Sequence, residues 1–186
     1  MGIYTEIPVT VSDIDELPED GNRYEVIEGE LYVSTAPGFP HQSALGNLYF
    51  ELAEYLRRNR IGRAVLGLGV IFDQFNGVIP DLLFISNERF DRILVGGRLK
   101  AAPEIVVEIL SPGKVNEQRD RVAKRKLFSS TGVSEYWILD PETHTIEIYR
   151  KRKEGGFGRS LTLQSDDDLT SPLLPDFRVP VAQLFE

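Results

Sequence analysis

Ile79-Pro80-Asp81-Leu82-Leu83-Phe84-Ile85 and, further along, Glu104-Ile105-Val106-Val107-Glu108-Ile109-Leu110 are the stretches on which the reading of this chain turns. Each is a short apolar run of the kind that forms a buried strand. Each also carries one carboxylate inside that run. An unpartnered ionised carboxylate in such surroundings costs several kcal/mol, so each needs a cation or strong donors. Two such acids on neighbouring strands would make an oxygen-rich site suited to a hard divalent ion.

Outward from these runs, the pattern alternates between strands and helices. Ser111-Pro112-Gly113 ends the Glu108 strand, and a helix is predicted over 117–130, closed by Gly132. A strand follows over 135–139, with 145–150 as its hairpin partner across Pro141-Glu142-Thr143-His144. Upstream, 64–72 reads as a strand and Gly77-Val78 as the turn into the Asp81 strand. Ala44, Leu45, Leu48, Tyr49, Leu52 and Leu56 recur at helical spacing, which predicts an amphipathic helix over 41–58 after a loop at 37–40. Residues 23–35 predict a hairpin turning at Glu28-Gly29. Residues 12–17 predict a short helix with Ser12 and Asp15 at capping-box spacing. The Pro-rich, acidic segment 161–186 reads as an edge strand plus a covering segment. The expected class is α/β, a mixed β-sheet flanked by helices, in one domain over 1–186 with its core at about 23–150.

Composition narrows the function classes. With 186 residues and 41% hydrophobic content the chain can bury a sizeable core. There is no cysteine, which excludes disulfide frameworks and thiolate metal sites. No apolar run reaches the roughly 20 residues that cross a bilayer, and residues 1–19 lack the basic-then-apolar layout of a leader. The expectation is a soluble, cytoplasmic protein with no membrane partner. A net charge of −8 argues against a general nucleic-acid binder. Even so, cations cluster locally, at 114–126, at Arg57, Arg58, Arg60 and Arg63, and at 150–153. Solvated helix and hairpin surfaces are the ordinary reading of such clusters.

Candidate chemistry concentrates on the helix after Glu108. At about 100° per residue, Asp120, Ala123, Lys124, Leu127, Phe128 and Thr131 share one side, whereas Arg119, Arg121, Val122, Arg125 and Lys126 spread over the rest. Lys124 therefore lies among apolar residues, with Asp120 one turn earlier on the same stripe. One reading is a snorkelling lysine tied to Asp120. The other is a lysine aimed at Asp81 and Glu108. His41, at the expected helix start, either caps or touches a ligand, and His144 falls in a turn with no evident role.

Pro80-Asp81, then Val106-Val107-Glu108-Ile109-Leu110-Ser111-Pro112, then Asp120-x-x-x-Lys124-Arg125-x-Leu127-Phe128 resemble the Uma2 family. So does the specific run Gly132-Val133-x-Glu135-Tyr136-Trp137-Ile138-Leu139-Asp140-Pro141, as do Tyr24-Glu25-x-Ile27-x-Gly29-Glu30-Leu31 and His41. The resemblance implies a restriction endonuclease-like core of the PD-(D/E)XK nuclease superfamily. It also implies an Mg²⁺-dependent endonuclease cutting phosphodiester bonds in DNA, with Mn²⁺ as a substitute ion. Asp81, Glu108 and the main-chain carbonyl of Ile109 would hold the metal. Leu110 stands where the superfamily's lysine usually lies, so the lysine's role passes by resemblance to Lys124. Phe128 stands where such sequences more often carry tyrosine. Glu30, His41 and Asp120 are secondary candidates, Arg121 and Arg125 candidate contacts to the nucleic-acid backbone, and a homodimer the expected assembly. The alternative is a catalytically silent nuclease-like binding or regulatory module, which the net charge favours.

Overall fold

Strands β9 (Ile105–Ile109) and β10 (Glu135–Asp140) lie parallel, Glu108 level with Ile138, in the computed structural model, which describes residues 7–186. Residues 1–6, the start of the segment read as lacking a leader, lie outside the described residues. A helical connection joins the two strands, as parallel neighbours require. Around them a six-stranded sheet has the order β12-β11-β10-β9-β6-β3. It is completed by β3 (Gly62–Leu66), β6 (Leu82–Ser86), β11 (Thr145–Arg150) and β12 (Leu161–Leu163), all in antiparallel pairings.

A second six-stranded sheet has the order β2-β1-β5-β4-β8-β7. Its strands are β1 (Arg23–Ile27), β2 (Glu30–Ser34), β4 (Val70–Asp73), β5 (Asn76–Val78), β7 (Leu94–Val95) and β8 (Arg98–Leu99). The β1–β2 hairpin turns where expected. Glu28 and Gly29 both have positive φ, 53° and 80°, as a turn matched to strand twist needs. Strands β13 (Asp168–Ser171) and β14 (Leu174–Pro180) form a separate pair, and a 3₁₀ turn over Val181–Phe185 follows. The helices are α1 (Val11–Asp15), α2 (Phe39–Asn59), α3 (Asn87–Ile93), α4 (Lys114–Gln118) and α5 (Arg125–Thr131). None is long and apolar enough to cross a membrane.

The sheet that holds β9 and β10 is covered on both faces, which is why these strands are apolar without alternation. Leu82, Phe84, Val107, Ile109, Trp137 and Leu139 face α2 and the C-terminal segment. Leu83, Ile85, Val106, Tyr136 and Ile138 face the second sheet and α5. The fold class is thus α/β with mixed sheets flanked by helices, and the C-terminal segment supplies an edge strand and a cover, as read from the sequence.

Four local expectations are corrected. The cap of the first helix is Thr10 with Asp13, two positions before the Ser12–Asp15 pair. The strand predicted over 64–72 is two strands in different sheets, because Gly67, with φ 57°, turns the chain between them. Gly77-Val78 is strand, and the turn lies at Gln74-Phe75 instead. The helix predicted over 117–130 is α4 and α5 joined by a π-helical stretch, Arg119–Lys124. Wider π turns bring Arg119 inward beside Asp120, whereas a regular wheel separates them.

Candidate active site

Leu82 of β6 pairs with Val107 of β9 in antiparallel register, so Asp81 and Glu108 face each other one step further along. By strand alternation both point to the side shared with Leu83 and Val106, into the layer between the two sheets. Lys124 reaches the same layer from the π-helical stretch, and Glu25 reaches it from β1. Asp81, Glu108, Lys124 and Glu25 expose 4%, 2%, 1% and 1% of their surfaces. An arrangement this dry holds charge only through mutual pairing.

That pairing is dense. Lys124 Nζ lies 2.8 Å from Glu108 Oε1, 2.9 Å from Glu25 Oε1 and 3.9 Å from Asp120 Oδ1. Asp120 is clasped by Arg119 through contacts of 2.8 and 3.1 Å. Asp81 Oδ1 accepts from Arg23 Nη1 at 2.9 Å. Its Oδ2 accepts from the Ile109 N–H at 2.9 Å and meets His41 Nε2 at 3.1 Å. Glu25 also accepts the Ile79 N–H at 2.7 Å and so fixes the Ile79-Pro80 corner that leads to Asp81.

The electrostatic consequences follow from this packing. Burial alone would depress the Lys124 ammonium, but Glu108, Glu25 and Asp120 outweigh it and raise its pKa above lysine's ordinary value. Burial would raise Asp81, yet His41, the Ile109 N–H and Lys124 hold it well below the usual carboxylate range. Burial dominates at Glu108 and lifts it well above that range, with Lys124 offsetting only part.

The sequence candidates fare differently. Asp81, Glu108, Lys124, His41 and Asp120 converge, and the reading of Lys124 as merely a snorkelling partner of Asp120 gives way to a three-carboxylate contact. Glu30 does not join them. It is exposed at the turn end of the hairpin, where Tyr32 donates to it at 2.9 Å. Arg121 is half-buried and committed to Glu147, Asp140 and Glu117 at 2.7, 3.0 and 3.0 Å, which leaves it unlike a free contact to nucleic acid. Arg125 is exposed, over the Tyr149 ring at 5.4 Å. Glu25, Arg23 and Arg119 were missed as site residues. Glu25 had a faint signal, an acid against Tyr24, Val26 and Ile27, within a hairpin whose alternation masks it.

Whether Asp81 and Glu108 suit Mg²⁺ depends on donor chemistry. Among the described residues no group of three or more His, Cys, Asp or Glu forms a cage. Mg²⁺ does not require one, since it usually takes one or two carboxylates and keeps several waters. Two facing hard-oxygen donors fit that habit, and the Lys124 contact to Glu108 is made at Oε1.

The chain is similar to known proteins along most of its length. The profile of the Uma2 family, described as "Putative restriction endonuclease", matches residues 11–182. Among solved structures, a "putative nuclease belonging to DUF820" from Anabaena variabilis is 21% identical, with a TM-score of 0.76 over 96% of this chain and 98% of that one. No curated protein matches the chain.

Proposed function

The chain belongs to the Uma2 family of restriction endonuclease-like proteins, and from that premise we propose that it hydrolyses phosphodiester bonds in DNA with Mg²⁺ as cofactor. The observation that carries this reading is the convergence of Asp81, Glu108 and Lys124 from three separate elements. Asp81 and Glu108, with the Ile109 carbonyl, would hold the ion. When bound, Mg²⁺ lowers the pKa of a coordinated water and stabilises charge on the phosphate oxygens.

The protein's own groups divide the remaining work. Lys124 is kept protonated by its carboxylates, so it orients the attacking water and neutralises the phosphate instead of taking a proton. Glu25 keeps the ammonium in place when Glu108 changes partner. His41 fixes Asp81 through its Nε2 contact with Oδ2. Arg23, whose side chain is 37% exposed, is placed to exchange Asp81 for an incoming phosphate oxygen. Arg125 contacts the phosphate backbone, which positions the duplex without reading sequence. A homodimer would present one such site to each strand.

Cleavage of plasmid DNA by purified protein tests the proposal. Expected are cutting with Mg²⁺ or Mn²⁺, none after chelation, and at least about a hundredfold loss in Asp81→Asn, Glu108→Gln and Lys124→Met. Lys124→Met strands Glu25 and Glu108 and costs about 3–5 kcal/mol, so folding of each variant is checked by thermal melting. A metal-loaded protein that cuts neither DNA nor RNA overturns the proposal. One observation favours the alternative of a silent binding module: Arg23, His41 and the Ile109 N–H already engage both oxygens of Asp81. Mn²⁺ affinity unchanged in the Asp81→Asn/Glu108→Gln double variant would select that alternative.

A further inference from the structure

Asp81 has a second neighbour besides the acid layer. His41, which meets its Oδ2 at 3.1 Å, also forms part of the wall of a cavity of about 470 Å³. The cavity lies past the C-terminal ends of the parallel strands β9 and β10, the usual place for a ligand in an α/β sheet. Its size is that of a small-molecule site. Pro40, Leu110, Pro112 and Pro141 give it flat apolar faces, and Glu142 contributes a carboxylate. Two further acids at its edge, Asp140 and Glu117, are both paired with Arg121. His41 Nδ1 is buried with no hydrogen-bond partner.

We infer that this cavity receives a nucleobase with an amino group at the C4 or C6 position (cytosine or adenine) from the nucleotide beside the cleaved phosphodiester. The inference rests on the nuclease reading. It draws on the cavity's contact with the Asp81 side of the site through His41, and on the chemistry of its walls. Apolar faces sandwich a base removed from its stack, and hydrogen bonds to its edge identify it. An ionised carboxylate only accepts, so Glu142 pairs with the exocyclic amino group of cytosine or adenine and not with the carbonyl that thymine or uracil presents there. The same negative charge repels a phosphate, which directs the base, and not the backbone, into the cavity. Base preference at the cut then arises beside the scissile bond without a separate reading domain.

Titration of isotope-labelled, metal-free protein with deoxycytidine and with thymidine, followed by amide chemical shifts, tests this. Expected are saturable shifts at Leu110, Ser111 and Glu142, with deoxycytidine binding about fivefold more tightly than thymidine. Glu142→Gln, which leaves an exposed side chain of similar size, should bring the two nucleosides within about twofold. Absent shifts, or equal affinities in the unmodified protein, overturn the pocket even if the protein cuts DNA. Selective nucleoside binding by a protein that cuts nothing upholds the pocket and overturns the cleavage reading, because a nucleoside carries no phosphodiester. Adenosine and cytidine run beside their deoxy forms distinguish an RNA from a DNA source of the base.

Discussion

Glu108 and Asp81 face each other in one layer, yet their surroundings push them in opposite directions. Burial dominates at Glu108 and raises its pKa well above the ordinary carboxylate value, whereas His41 and the Ile109 N–H hold Asp81 well below it. A raised acid retains its proton at pH values where an ordinary glutamate has lost it. Metal and proton then compete for Glu108, and the metal gains as pH rises. Mn²⁺ affinity measured by calorimetry should therefore go on strengthening as pH rises above the ordinary glutamate pKa of about 4.3, by up to about tenfold per unit below the Glu108 transition. Glu108→Gln should flatten that dependence, and a pH-independent affinity in the unmodified protein would contradict it. Asp81 behaves oppositely: its stabilising contribution is present above the ordinary aspartate pKa of about 3.9 and is lost as pH falls through its depressed folded value. At this scale Asp81, Glu108 and Lys124 were legible because each interrupts an apolar pattern. Glu25 and Arg23 were not, since only the pairing of Val26 with Gly77 brings β1 beside the Ile79-Pro80 corner.

The π-helical stretch decides how Lys124 is delivered. A regular helix already places Lys124 on the apolar stripe, so the wheel located it. The same wheel turned Arg119 outward, and the structure turns it in to clasp Asp120. A π turn alters the helical hydrogen-bond ladder, and Tyr136 of β10 donates its hydroxyl to the Asp120 carbonyl at 3.0 Å within it. Packing of Tyr136 against Phe128, with ring centroids 4.9 Å apart, keeps that hydroxyl in place. Tyr136→Phe removes the donor and leaves a buried carbonyl unpaired, at a cost of about 1–3 kcal/mol. For a chain of this length a melting temperature lower by roughly 2–4 °C per kcal/mol is expected, read by calorimetry. Cleavage should fall further than stability alone explains, because Lys124 hangs from the same turn. An unchanged melting temperature would show that the π turn needs no support from β10. No residue pattern announces such a turn, since periodicity analysis presumes a fixed helical repeat. The division of 64–72 between two sheets escaped for a related reason: its apolar content reads the same whichever sheet receives it.

Across the whole molecule, membership of a basic cluster does not decide which cations are free to meet a ligand. The net charge is −8, and Arg121, although it lies in the basic segment 114–126, spends its guanidinium on Glu117, Asp140 and Glu147. Sequence position alone made Arg121 and Arg125 look equivalent. Tertiary pairing separates them, because β10 and β11 bring carboxylates to one and only the Tyr149 ring to the other. A cation already held by carboxylates has little to offer a phosphate, so the salt dependence of polyanion binding reports the cations left outside such pairs. Fluorescence anisotropy on a labelled duplex in Ca²⁺, chosen to hold the substrate uncut, measures the slope of log affinity against log salt. Arg125→Ala should weaken binding across sequences and reduce the magnitude of that slope by about one. Arg121→Ala should leave the slope unchanged and instead lower the melting temperature, because it leaves three carboxylates without their cation. A slope that falls in Arg121→Ala and not in Arg125→Ala would invert the assignment and place the nucleic acid on the β11 side of the helix.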